Sequence, residues 1–174
     1  MNCRTSPRVG IEYKLQNNIS LYNEIGTYIP NANGMRNNRG YLTKFEVKLY
    51  LNKSGLTLGH YISAEAFFKH QSYYTYDTIL LPSANYLKDY FVAKNVGCFT
   101  IKYGFLKCYK YRVLVDYFVG IGIRPKYIKS SLSDYENNNI KPEGDYHTNI
   151  LKNQSGVFIT PNFDIGIKIG YSFK

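Results

Sequence analysis

The chain has no tryptophan, only two methionines, an odd three cysteines, and no stretch of eighteen uninterrupted apolar residues. The last absence excludes a helical membrane span, which needs roughly that many. The cysteines have no metal-ligand spacing, and an odd number does not make a disulfide framework. Cys98 reads as inward-facing on a strand and Cys108 as part of a turn, a poor pair for a bridge. Acidic residues are scarce, 12 against 22 Lys and Arg, for a net charge of +10. That surplus invites a nucleic-acid reading, but basic nucleic-acid modules concentrate cations on one face or helix. Here the strand cations interleave with Glu12, Glu24, Glu46, Glu65, Asp116 and Asp164, so no nucleic-acid partner is expected. The surplus falls in connections, at Arg36, Arg39, Lys107, Lys110, Lys126, Lys129, Lys141 and Lys152. There it serves solubility or attraction to anionic head groups.

What is abundant is tyrosine (19) and phenylalanine (10), arranged in strict alternation. From residue 162 to 173, Phe163, Ile165, Ile167, Ile169, Tyr171 and Phe173 take one parity, and Asp164, Gly166, Lys168, Gly170 and Ser172 the other. Val113, Val115, Tyr117, Val119, Ile121 and Ile123 alternate in the same way with Leu114, Asp116, Phe118, Gly120, Gly122 and Arg124. Five more segments obey the rule: 9–15, 19–29, 41–51, 59–69 and 94–104. In them Glu12, Glu24, Lys44, Glu46, Lys48, Glu65 and Lys102 share the inner parity, and 19–29 is the weakest, with Asn23 falling outside. No charged residue occupies the outer parity of any of the seven.

A soluble sheet also alternates, but a cation facing lipid at the bilayer midplane costs about 2–4 kcal/mol, so a membrane barrel has to keep charges on one parity. The reading is therefore all-β: a small up-and-down antiparallel transmembrane β-barrel of about eight strands, seven of them visible here, in one domain spanning residues 1–174. A soluble lipocalin-like barrel or sandwich, which would bind a small apolar ligand, is the competing reading. Short connections (16–18, 52–58, 105–111) alternate with long ones (30–40, 70–93, 125–155), as periplasmic turns alternate with outer loops. Because bacterial barrels use even strand numbers, an eighth strand is expected before Pro7, unless residues 158–160 or part of 70–93 supply an irregular one. The start, Met1-Asn2-Cys3, lacks the apolar run of a signal peptide, so the beginning of a precursor is expected to be missing. The tyrosines of 70–90 point to an extended hairpin or a fold over the barrel mouth, serving as interfacial anchors or a binding surface. Segment 130–155, rich in Asn, Ser, Lys and Asp, is expected to be mobile.

The stretches SPRVGIEYKLQNNISLYNEIGTYI (6–29), RVLVDYFVGIGIR (112–124) and PNFDIGIKIGYSF (161–173) carry Gly10, Glu12 and Tyr13, then Asp116, Gly120 and Gly122, then Gly166, Gly170, Tyr171 and Phe173. In these motifs the chain resembles the small outer-membrane barrel proteins common in Bacteroidota. The resemblance covers most strands and none of the loops. It implies the outer membrane of a Gram-negative bacterium, brings no chemistry with it, and departs from the family in lacking a leader and first strand.

An eight-stranded barrel is just filled by its side chains, so broad diffusion through it is not expected. Glu12, Glu24, Glu46, Glu65, Asp116 and Asp164 against Lys44, Lys48, Lys102, Arg124 and Lys168 are expected to form a buried network, structural rather than the lining of a narrow ion path. Inward glycines should leave room for long or aromatic side chains to pack across. Val113, Val115, Tyr117, Val119, Ile121, Ile165, Ile167, Ile169, Tyr171 and Phe173 are expected to face lipid. Small outer-membrane barrels include lipid-modifying hydrolases, and His70-Gln71-Ser72 resembles their H-x-S pair. A carboxylate should then orient the imidazole, but Asp77 and Asp89 stand at the wrong spacing. His60 and His147 have no partners at metal spacing, and no glycine loop leads into a helix to hold phosphate. The expectation is a non-enzymatic membrane protein with no cofactor. Its partners are outer-membrane lipid and a larger outer-membrane assembly, and its outer loops carry any recognition.

Overall fold

The computed structural model describes residues 7–28, 36–51, 58–80, 85–109, 112–140 and 154–173. Seven strands form one antiparallel sheet in chain order: β1 (Arg8–Gln16), β2 (Ile19–Thr27), β3 (Arg36–Tyr50), β4 (Gly59–Ile79), β5 (Tyr86–Cys108), β6 (Val113–Ser130) and β7 (Gly156–Tyr171). The all-β, up-and-down architecture read from the alternation is the one that forms. Asn17 and Asn18, turn-favouring residues, join β1 to β2 in register from Lys14↔Ser20 upward.

The sheet curls strongly. Lys168 on β7 and Glu46 on β3 are four strands apart, about 19 Å in a flat sheet, yet Lys168 Nζ lies 2.8 Å from Glu46 Oε2. Lys48 on β3 likewise meets Asp116 on β6 at 2.8 Å. One face is therefore concave and filled by its own side chains, and the other is convex. Glycines permit the curl and the filling: a Cβ on Gly104 or Gly10 would run into the rings of Tyr61 or Tyr22, and one on Gly166 would lie 2.7 Å from the Phe118 ring. Tyr61 and Gly104, and Phe118 and Gly166, are direct cross-strand partners.

The long connections are shorter than the sequence indicates. β4 and β5 stay paired from Gly59↔Leu106 to Ile79↔Tyr86, so most of 70–93 is hairpin. β3 begins at Arg36 inside the expected 30–40 loop, with a bulge between Arg36 and Arg39. β6 continues to Ser130, and residues 158–160 belong to β7. Cross-strand pairing of aromatic and β-branched residues sustains these extensions beyond the apolar segments.

Segment 131–140, expected to be mobile, is ordered. It contains α1 (Asp134–Asn138), started by a capping box in which Ser133 and Glu136 satisfy each other's backbone N–H. The segment runs from the end of β6 to the far edge of β4, where Leu80 N–H donates to Asn139 O at 2.8 Å and Ile79 bridges Ile140. Leu132 and Phe158 pack on a buried cluster of Tyr73, Tyr90, Val92 and Ile128. Residues 141–153, with Lys141, His147 and Lys152, lie outside the described residues, as do Cys3 and Lys110.

Candidate functional site

The concave face holds three groups of ion pairs that together involve all seven strands. Lys48 Nζ bridges Glu12 Oε2 and Asp116 Oδ2, each at 2.8 Å. Glu12 also accepts from Ser20 Oγ (2.5 Å) and Tyr50 Oη (2.6 Å), and Asp116 from Tyr61 Oη (2.7 Å). Glu46 accepts from Lys168 Nζ (2.8 Å) and Ser63 Oγ (2.6 Å). Glu65 takes Lys102 at 2.5 Å and Lys44 at 3.2 Å, and Lys102 reaches on to Asp164 at 2.8 Å. Glu24 closes the set with Lys44 (4.0 Å), Arg8 (3.5 Å) and Tyr22 Oη (2.8 Å). Among the described residues no buried side-chain nitrogen or oxygen lacks a hydrogen-bond partner. Such a network adds little net stability, but losing one partner leaves a charge that burial penalises.

Ten of the eleven residues expected in this network are in ion pairs. The correction is Arg124, whose guanidinium donates to the Asn162 side-chain oxygen rather than to a carboxylate. Arg124 sits above the acidic region, and an amide is what faces it there. Parity revealed the charged members but not their neutral supports Ser20, Tyr22, Tyr61 and Ser63. Their inward parity was visible, but which hydroxyls meet which carboxylates depends on strand register.

On the convex face the exposed residues are the apolar ones. Ile165 is 82% exposed while Glu46, on the concave face, is 0%. Tyr117, Val119, Ile121, Ile165, Ile167, Ile169, Tyr171 and Phe173 are all exposed, and Val113 and Val115 are half-buried on the same parity. Outward positions 41–51 of β3, 62–68 of β4, 97–105 of β5, 113–127 of β6 and 157–173 at β7 carry no charge. On β4 this band is bounded by His60, bonded to Tyr103 Oη (2.8 Å) and packed on Phe105, and by His70, bonded to Asn95 Oδ1 (2.7 Å) and packed on Tyr41. The interval between the two histidines is close to the ~9–11 residues of a tilted membrane-crossing strand.

Neither Ser72 nor a carboxylate contacts His70 among the described residues. Cys98 and Cys108 are both free and lie on the same strand. Ten residues of strand separate their Cα atoms by about 33 Å, against the ~7 Å limit for a bridge. That places Cys108 at a strand end rather than in a turn.

Beyond the band, Glu136 accepts from Lys88 Nζ (2.5 Å) and Tyr86 Oη (2.6 Å). The hydrogen bond from Lys88, followed by that from Tyr86, holds its carboxyl down at about 2, and the same contact raises the Tyr86 phenol. No protein-family model, curated protein or solved structure matches the chain.

Proposed function

We propose that this chain is a non-enzymatic integral β-barrel protein of the outer membrane of a Gram-negative bacterium. The curled sheet anchors it in lipid, and its outer extensions, chiefly 70–93 and 125–155, serve recognition, alone or as an accessory to a larger outer-membrane assembly. One observation carries the reading: polarity is inverted, with ion pairs buried and rows of Ile, Val, Phe and Tyr exposed across all seven strands. Soluble monomers rarely expose contiguous apolar patches beyond a few hundred Å², whereas lipid solvates such a surface and rejects charge on it. The likeness to the small barrels of Bacteroidota supports the same location. The pairing of His70 with Asn95 instead of Ser72 favours anchoring over lipid hydrolysis.

Heat-modifiable migration in a detergent gel, together with retention in the membrane pellet after carbonate extraction, tests the reading. Release by carbonate without detergent, and migration unchanged by boiling, would reject it in favour of a soluble ligand-binding barrel.

A further inference from the structure

Outward-facing charge is confined almost wholly to one end of the sheet. Among the described strand residues it comprises Arg36, Arg39, Asp89 and Lys129 beyond the apolar band, at the end of the long connections, and Lys107 at the other end. Arg36 and Asp89 pair with each other. Arg39 and Lys129 are the first charged residues above the band on β3 and β6, and one register row joins them: Arg39↔Ser72↔Ala93↔Lys129. Three strand spacings, about 14 Å, separate their Cα atoms, and the two residues between them carry only a hydroxyl and a methyl group. Both cations are exposed, and the row contains no carboxylate.

The next outward row towards the band is Tyr41↔His70↔Asn95↔Tyr127. Tyr41 and Tyr127 are exposed, amphipathic rings of the kind that settle at head-group level, and His70 and Asn95 hold each other at 2.7 Å. Below this row the outward positions of β3, β4, β5 and β6 are uncharged as far as His60 and Lys107. On the other side of the cation row, where Tyr74 follows Ser72 on the same face of β4, lies an open cavity of about 530 Å³ lined by Arg36, Asn37, Tyr74 and Asp89. In order along the strands the face presents an apolar surface, a row of phenols with a bonded imidazole and amide, a row with a cation on either side, and an open polar cavity. An anionic phospholipid has the same order: acyl chains, ester region, phosphate, head group.

We infer that the row from Arg39 to Lys129 is a binding site for the phosphate of an anionic lipid of the outer leaflet, whose acyl chains lie on the apolar surface below. The inference rests on the proposed function, which puts the band in lipid and the long connections outside. Arg39 takes two phosphate oxygens with its planar guanidinium, Lys129 adds a point charge from the other side, and the Ser72 hydroxyl lies between them. Charge alone would serve a soluble phosphate equally well. The apolar surface that begins just beyond the tyrosine row favours a phosphate attached to hydrocarbon.

The test folds the full chain into vesicles of phosphatidylcholine with a minor share of phosphatidic acid of the same acyl chains. Flotation first checks insertion; the protein is then extracted in zwitterionic detergent, and the lipid it retains is identified by native mass spectrometry. Phosphatidic acid should be retained in preference to phosphatidylcholine. Arg39→Gln and Lys129→Gln, both at exposed positions, should each weaken that retention about fivefold, the effect of one cation at a lipid surface. Lys107→Gln, at the other end of the same face, should leave it unchanged. No preference for phosphatidic acid, an equal effect at Lys107, or displacement of the lipid by inorganic phosphate would overturn the inference and leave the membrane reading standing. Failure to float with the vesicles would overturn both.

Discussion

Lys48→Met is the most informative single perturbation of the concave face. Its ammonium is 2.8 Å from both Glu12 and Asp116, and the side chain is 1% exposed. Methionine fills nearly the same volume, so the change removes charge more than packing. Glu12, a quarter exposed, can turn to water. Asp116, 5% exposed, keeps only the Tyr61 hydroxyl. Stranding one partner of a buried pair costs about 3–5 kcal/mol, two decades or more in the folding equilibrium. Removing the second charge as well, in Lys48→Met/Asp116→Leu, should recover stability, because an apolar replacement of a buried pair is often neutral or better. The assay is urea unfolding in detergent micelles or vesicles, followed by the shift between folded and unfolded bands. The two singles and the double should be strongly non-additive, with the double above Lys48→Met alone. A loss below about 1 kcal/mol for Lys48→Met, typical of a solvated surface pair, or simple additivity would refute the argument that this face is closed to water.

Ile165→Lys on the convex face should cost about 2–4 kcal/mol when the protein is folded into vesicles; the near-zero change usual at an exposed soluble position would count against lipid contact. Gly104→Ala should destabilise by about 1–3 kcal/mol through overpacking against the buried Tyr61 ring. Gly170→Ala, whose new Cβ would meet only Leu114 Cβ at 3.9 Å, should be close to neutral in the same unfolding assay. The docking of segment 131–140 should depend on pH with a definite sign. The Glu136 carboxyl lies at about 2 when docked and at its ordinary 4.5 when released, so its contribution is fully present above pH 4.5 and lost as pH falls towards 2. Amide exchange of residues 131–140 should accelerate across that window, and Glu136→Gln should abolish the acceleration.

The strands were legible because alternation is a one-dimensional signal: a single parity choice for each segment sorted Glu46 from Phe45 and Asp116 from Tyr117. The ion pairs were legible as a set but not as pairs. Lys168 meets Glu46 only because the sheet curls four strands back on itself, and curl is invisible in any one strand. The extended β4–β5 hairpin was harder to read, since residues 70–79 and 86–95 mix Tyr, Thr, Asp and Lys, and their strand state comes from pairing with each other and from the small buried cluster of Tyr73, Tyr90 and Val92, which no unbroken alternation announces.

The seam between the sheet's edges ties the strand count to the membrane reading. Seven strands in strict up-and-down order make β1 and β7 run the same way, both towards the short-turn end. Among the described residues each edge presents backbone N–H and C=O groups along the gap, and hydrocarbon would have nothing to satisfy them. The outward side chains there, Ile11 and Tyr13 on one edge and Ile167 and Ile169 on the other, are as apolar as those on paired strands, so the seam belongs to the same surface. Lys168 of β7 reaches within 4.2 Å of the Tyr22 ring centroid of β2, so side chains from both sides of the gap meet in the concave interior. A strand antiparallel to both would satisfy the two edges together and bring the count to an even number. In lipid, the inverted polarity of the convex face and the satisfaction of this seam are one requirement, because a surface apolar enough to be solvated by hydrocarbon cannot also present an open strand edge to it.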